Sequence, residues 1–268
     1  MNANELYAAG QLAEAVAAAG EDVKRHPTDQ AKRAFFCELL CFAGNLDRAD
    51  LQLDTIVLQD PKAAVVVSLF RQLLRAEQAR RQFFQEGRLP EFLDQPSPRL
   101  KLHLEASICL REGNAAGAAN LLQRAEQERP VVAGTCDGRP FEGLRDLDDL
   151  TSSFFEVLTS TGKYYWIPME SVELIEFRAP QRARDLLWRS AHMIVRGGPD
   201  GEVHLPAVYA GSQAESDDRL RLGRLTEWRG DPAAPVRGAG QRVFLVGEED
   251  RSIMEIKEIT LNAPAANP

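Results

Sequence analysis

The sequence predicts an α+β protein in two parts: a tetratricopeptide-like α-solenoid over residues 1–130, then a β-rich domain over 131–268. The second part is expected to carry a mixed or antiparallel sheet, with a barrel-like closure as one form. Two observations predict this class. A Gly-to-Pro spacing recurs through the first half at the length of one helical hairpin. After Pro130 the texture changes, and from Phe154 β-branched and aromatic runs alternate with Gly-containing turns.

Gly10, Gly44 and Gly113 each open the same pattern: Leu or Ala two later, Ala five later, Pro seventeen later. The instances run Gly10-Leu12-Ala15-Pro27, Gly44-Leu46-Ala49-Pro61 and Gly113-Ala115-Ala118-Pro130. The first two stand 34 positions apart and the third follows 69 later, one more than two periods. Each residue has a physical task. The Gly opens the turn between antiparallel helices, the Ala lets their backbones approach, and the Pro ends the second helix. Cys37 and Ala106, seven before their Gly, supply a second small contact. Between Pro61 and Arg99 the repeat degenerates. Residues 62–84 read as one helix with Val66, Leu69, Phe70, Leu73 and Leu74 on its apolar side, and Gly87, Pro90, Pro96 and Pro98 mark a loop.

In the second half, 131–143 reads as a connector and 145–150 as a polar segment with a helical turn. Residues 154–159 and 163–167 form a hairpin through Ser160-Thr-Gly162, and 171–177 alternates as a strand. Strands at 191–196 and 202–209 flank Gly197-Gly-Pro-Asp-Gly201, and 241–246 and 252–261 complete the domain.

Composition narrows the function. At 44% hydrophobic and 27% charged residues the chain is globular in type and needs no staple for its core. A net charge of −8, with scattered Lys and Arg, argues against a nucleic-acid partner. No apolar run approaches the roughly 20 residues that span a bilayer, and the start lacks a secretory pattern, so a cytoplasmic location without membrane insertion is expected. Cys37 and Cys41 lie four apart on a helix, but packing as small hydrophobes is favoured over metal binding. Cys109 and Cys136 have no ligand spacing.

Catalytic signatures are missing: there is no His-Glu-x-x-His, no nucleophile elbow, no Walker A loop, and Gly238-Ala-Gly240 is not followed by a predicted helix. Asp146, Asp148 and Asp149 offer oxygen ligands to a divalent cation, against a solvated acidic surface as the favoured reading. His192 and His204 sit on facing strands of one hairpin, which leaves joint metal binding open, and Cys136 with a histidine lacks any nucleophile signature. The expectation is therefore no enzyme, no cofactor and no metal, with protein binding as the task. Aromatics and Arg dominate interface energies, which selects Tyr164, Tyr165, Trp166, Arg184, Asp185 and Trp188. The solenoid groove adds Arg33, Glu38, His103 and Ser107. Aromatics in strands are also ordinary core residues, and from composition alone core packing wins for two of the three at 164–166.

The motifs Asp137-Gly-Arg-Pro-Phe141, Arg145-Asp-Leu-Asp-Asp-Leu150, Gly162-Lys-Tyr-Tyr-Trp-Ile-Pro168, Arg184-Asp-Leu-Leu-Trp188-Arg189, Leu205-Pro-Ala-Val-Tyr209, Leu220-Arg-Leu-Gly-Arg224, Pro235-Val-Arg-Gly238 and Gly240-Gln-Arg242 follow one another in a fixed order. Together with the degenerate helical array they resemble the ImpE/SciE family, also called TagJ, over nearly the whole chain. Departures fall on the solenoid surface and after Gly247. The resemblance implies an accessory component of the bacterial type VI secretion system. It further implies association with a helix of the small contractile-sheath subunit, and a link to the AAA+ ATPase that disassembles contracted sheath. It brings no catalytic residues with it. The rival reading is a hydrolase-like or metal-dependent enzyme whose helical array recruits substrate.

Overall fold

The computed structural model describes residues 1–230 and 233–263. Seven helices come first: α1 (Ala3–Ala8), α2 (Leu12–Arg25), α3 (Gln30–Phe42), α4 (Leu46–Gln59), α5 (Ala64–Glu86), α6 (Pro98–Arg111) and α7 (Ala115–Gln127). Three antiparallel pairs turn at the expected glycines, whose φ angles of 81°, 82° and 76° at Gly10, Gly44 and Gly113 lie in the left-handed region that side chains resist. Ala15, Cys37, Ala49, Ala106 and Ala118 are all sealed between helices. The unpaired α5 is continuous for 23 residues. Its buried side differs from the expected one, because Val67 turns inward with Phe70, Leu73 and Leu74 while Val66 and Leu69 remain exposed.

The second half forms β1 (Ala133–Cys136), β2 (Arg139–Glu142), β3 (Leu144–Asp146), β4 (Phe154–Thr159), β5 (Tyr164–Pro168), β6 (Val172–Phe177), β7 (Trp188–Val195), β8 (Asp200–Pro206), α8 (Asp218–Arg221), β9 (Thr226–Arg229), β10 (Arg237–Gly240), β11 (Val243–Val246), β12 (Glu249–Ser252) and β13 (Glu258–Leu261). Eight strands pair in the order β2-β1-β13-β6-β7-β8-β4-β5, and each pairing is antiparallel. The sheet is therefore neither mixed nor a closed barrel: β2 and β5 are its two ends and do not pair. The β5 edge is covered instead by the loop after α5. Glu91 N–H donates to the Tyr164 carbonyl (2.8 Å), and Trp166 N–H donates to the Glu91 carbonyl (3.1 Å). Smaller sheets, β12-β11-β3 and β10-β9, complete the half.

Several segments depart from the sequence reading, among them β3 at the start of the polar segment 145–150 and the unexpected β9–β10 pair. The 131–143 connector is a β1–β2 hairpin, turning through Asp137 (φ 51°) and Gly138 (φ 76°). An Asp-Gly pair favours such a turn because both central residues need positive φ. Residues 252–261 are not one strand: the chain leaves β12 at Ser252 and buries Ile253 and Ile256 before β13 begins.

Strand alternation divides the core into two. Phe154 and Leu158 of β4, Tyr164 and Trp166 of β5 and Trp188 of β7 join one cluster with the helices. Phe155, Val157, Ile167 and Met193 point the other way, into a cluster with Leu144, Phe244, Val246, Ile253 and Ile256. Helices α3, α5 and α6 pack on the second half and α2 meets α8, while Ala118 and Leu122 of α7 join a small cluster with Leu150. The second half also clamps the first hairpin. Asp218 accepts from Leu12 N–H (2.7 Å) at the start of α2, and Arg224 donates to the Tyr7 (2.7 Å) and Ala8 (2.9 Å) carbonyls at the end of α1. These are the helix-end groups that have no partner within their own helices.

Candidate interaction site

At the centre of the helix–sheet interface lies a buried network of charges. Glu156 projects from β4 toward α5, where it accepts from Arg80 Nε (2.9 Å) and Nη2 (3.1 Å). It also accepts from the Tyr164 hydroxyl (2.6 Å) and pairs with Arg242. The Trp166 indole N–H donates to the Tyr164 hydroxyl (2.6 Å). Arg242 reaches across to Asp146 (2.6 Å), which further accepts from the hydroxyls of Tyr209 (2.7 Å) and Thr151 (2.9 Å). Gly238 makes room for that arrangement, since a Cβ there would stand 2.3 Å from the Tyr209 ring. One turn earlier on α5, Glu77 accepts from the Trp188 indole N–H (3.1 Å) and from Arg81 Nε (3.0 Å).

The electrostatics follow from this geometry. Burial alone would raise the Glu156 carboxyl, but Arg80 and Arg242 more than offset it and hold it at about 2. For Asp146 burial outweighs Arg242, and neighbouring Asp148 adds to the effect, so the carboxyl is pushed up to about 6. Charges buried in this way must be paired and hydrogen-bonded, because stripping an ion of water costs several kcal/mol.

The three aspartates, read from the sequence as a solvated acidic surface, do not form one: Asp146 and Asp148 are buried, and all three carboxylates are taken up by arginines and backbone amides. Asp148 accepts from Arg237 Nε (2.8 Å) and Leu150 N–H (2.9 Å). Asp149 accepts from Arg145 (2.7 Å) and Val236 N–H (2.7 Å). His192 and His204 lie on one face of β7 and β8 but not opposite each other: His192 is paired in register with Glu202, and His204 with Ser190. His192 stands 3.0 Å from Asp200. Among the described residues no group of three or more His, Cys, Asp or Glu converges. Cys37 and Cys41 are buried side by side on α3, and burial pushes the Cys37 thiol up to about 12.

Seven of the ten proposed contact residues lie inside the protein, so the surface reading is corrected for them. Tyr164, Trp166 and Trp188 are buried where helices meet sheet. Arg33, Glu38, His103 and Ser107 are buried on the helix sides that the second half or a neighbouring helix covers. The physical reason is that the side of the helical array expected to be an open groove is filled by the chain's own second half, whose 149–151 and 183–186 turns pack on α6 and α3. His103 shows it most clearly. Its Nδ1–H donates to the Leu150 carbonyl (2.9 Å), so its Nε2 accepts from the Ser153 hydroxyl (3.0 Å). Burial drives its basicity down to about 4, with the Leu150 bond acting in opposition.

Tyr165, Arg184 and Asp185 keep access to solvent. Tyr165 points to the opposite sheet face, where it lines an apolar cleft of about 300 Å³ with Val157, Ile167, Met193 and Val203. Arg184 lies in a 3-10 turn (Ala183–Leu186) packed against α3 and β7. Its guanidinium rests 4.4 Å from the centre of the Phe70 ring and 4.0 Å from Glu38. Together these side chains border a cavity of about 210 Å³ floored by Leu53, Ile56, Val67 and Phe70. Sequence reasoning picked Glu38 and Arg184 separately but missed Val66, Phe70 and Arg182, which complete this cavity. No sequence signal marked them: Val66 and Phe70 read as core positions of α5, and only the structure leaves Val66 53% exposed.

The motifs that carry the family resemblance map largely onto the buried network: Asp146, Asp148, Tyr164, Trp166, Tyr209, Arg237 and Arg242 all belong to it. The family model described as "ImpE protein" matches residues 138–260. A Pseudomonas aeruginosa protein named type VI secretion system accessory component TagJ is 32% identical over 259 residues, covering 97% of this chain and 90% of the relative. A crystal structure of a Vibrio parahaemolyticus protein superposes with a TM-score of 0.91 at 26% identity, over 97% of both chains. With the match to TagJ running through helices and sheet alike, the chain belongs to the ImpE/TagJ family.

Proposed function

We propose that this chain is a non-enzymatic accessory protein of the bacterial type VI secretion system. In this reading it is a cytoplasmic adaptor that binds a helix of the small contractile-sheath subunit and links it to the AAA+ ATPase that disassembles the sheath. Its helical half is a variant tetratricopeptide-like solenoid (1–130) whose inner side holds the β-rich half (131–268) rather than a ligand. The observation that carries the proposal is the 32% identity to TagJ along 97% of the chain. The engagement of Asp146, Asp148 and Asp149 with arginines supports an adaptor over a metal-dependent hydrolase. Tyr165, Arg184 and Asp185 are the contact residues retained from the sequence. No helix among the described residues is long and apolar enough to cross a membrane.

Isothermal titration with a peptide of the sheath subunit's helix tests the reading. Saturable binding is expected, and no heat of binding up to about 1 mM peptide would refute sheath contact through that helix. Stoichiometric metal in protein purified from the native cell would instead support the enzyme.

A further inference from the structure

The cavity beside Arg184 has a chemistry of its own. At about 210 Å³ it is smaller than the roughly 300–1,000 Å³ typical of small-molecule sites, yet large enough to take an apolar side chain. Its floor is apolar, and it continues outward onto an unpartnered ridge. Val65, Val66 and Leu69 are 72%, 53% and 55% exposed on the first turns of α5, and residues three and four apart lie side by side on a helix. Its rim is cationic. Arg182 is exposed and forms no ion pair among the described residues. Its backbone N–H donates to Asp185 (3.0 Å) and its carbonyl accepts from the Asp185 N–H (3.1 Å), which leaves the guanidinium to solvent. Arg184 has one carboxylate nearby, Glu38 at 4.0 Å, too far for a hydrogen bond. Glu38 is itself buried and Asp185 is turned toward the Gln181 and Arg182 amides. Two guanidinium groups therefore stand at the mouth of an apolar cavity on a chain whose net charge is −8.

We propose that this groove is the docking site for an acidic amphipathic helix, with an apolar side chain in the cavity over Phe70, further apolar residues on Val66 and Leu69, and a carboxylate on Arg182 and Arg184. A helix presents such a stripe with charges alongside it, the geometry of helix-in-groove recognition. A bidentate carboxylate completes the hydrogen bonding of a guanidinium that Glu38 leaves unfinished. The burial that lowers Arg184 and raises Glu38 agrees with an ion pair short of partners. The proposal rests on the reading of the chain as a protein-binding accessory, and it names the surface and the charge of the partner.

The test uses two synthetic 16-residue helical peptides, one of Leu and Glu and one of Leu and Lys, each labelled for fluorescence anisotropy. The Leu/Glu peptide is expected to bind at least tenfold more tightly, against the direction set by the chain's overall charge. Arg182→Glu and Val66→Glu, both at exposed positions, should each weaken it at least tenfold with unchanged melting temperature. Leu89→Glu, on an exposed residue of the distant loop after α5, should leave it unchanged. Equal binding of the two peptides, or parent-like binding by Arg182→Glu and Val66→Glu, overturns the proposal. So does an equal loss in Leu89→Glu. The sheath-helix peptide is titrated in parallel. If it fails while the Leu/Glu peptide binds at the groove, the sheath assignment falls and the groove stands. If it binds the parent and all three variants alike, the groove falls and the sheath assignment stands.

Discussion

Replacing Glu156 by Gln keeps the shape of the central side chain and removes its charge. Two buried guanidinium groups, Arg80 and Arg242, then share Asp146 and the more distant Glu77, which lies 3.6 Å from Arg80. Two routes give the cost. The carboxyl is held at about 2 against an ordinary 4.5, and each unit corresponds to about 1.4 kcal/mol, so its charge contributes about 3 kcal/mol at neutral pH. Removing one partner of a buried ion pair costs about 3–5 kcal/mol by a separate line of measurement. We therefore expect Glu156→Gln to lower unfolding free energy by about 3–4 kcal/mol in urea at pH 7, read from the midpoint and slope. The sign with pH is set by the depressed value. The contribution is complete above the unfolded value of 4.5 and is lost as pH falls toward 2, so parent and variant should converge in acid. Asp146 acts in the opposite sense. Raised to about 6 from an ordinary 3.8, it favours the fold below 3.8, and that contribution is lost as pH rises through 6. The double variant Glu156→Gln/Arg80→Met restores charge balance around Arg242 and Asp146, so it should cost at least about 1 kcal/mol less than the sum of the singles. A Glu156→Gln loss under about 1 kcal/mol, or strict additivity in the double variant, would refute the view of this network as an interdependent unit.

Three further outcomes are expected. Ala49→Leu and Ala118→Leu, at sealed helix contacts, should each cost about 1–3 kcal/mol by overpacking; urea titrations within about 0.5 kcal/mol of the parent would contradict the packing. Asp218→Ala should cost about 1 kcal/mol, as loss of a helix cap does, and speed hydrogen exchange at the Leu12 and Ala13 amides; unchanged exchange there would mean the clamp on α2 is ineffective. His103, held neutral with its value near 4 against an ordinary 6.5, favours the fold above 6.5 and loses that contribution as pH falls toward 4. The parent's melting temperature should thus fall more steeply across that range than that of His103→Gln, and parallel curves would contradict it.

The parts of the fold legible from sequence are those with local causes. Gly10, Gly44 and Gly113 mark turns because only a residue without Cβ adopts positive φ freely. The β4–β5 and β7–β8 hairpins were readable because strand propensity and turn residues stand adjacent in the chain. The β1–β2 hairpin also had a local signal, Asp137-Gly138, but short polar strands masked it. No local signal places Asp146 beside Arg242, 96 positions away, or Arg80 against Glu156. Tyr164, Trp166 and Trp188 illustrate the ambiguity: aromatic residues serve cores and interfaces equally, and only their neighbours decide which.

By itself the sequence determined the class of most segments, the family, and the small residues that let helices approach, because all of these depend on patterns within a few turns or strands. Only the tertiary structure decided what the helical array does with its inner side. It folds the chain's own second half against α3, α5 and α6, which buries Glu38, His103 and Trp188 and leaves Arg182, Arg184 and Val66 with access to solvent. Whether a side chain is buried depends on which distant segment covers it, and that covering is a property of the packed chain rather than of any stretch within it.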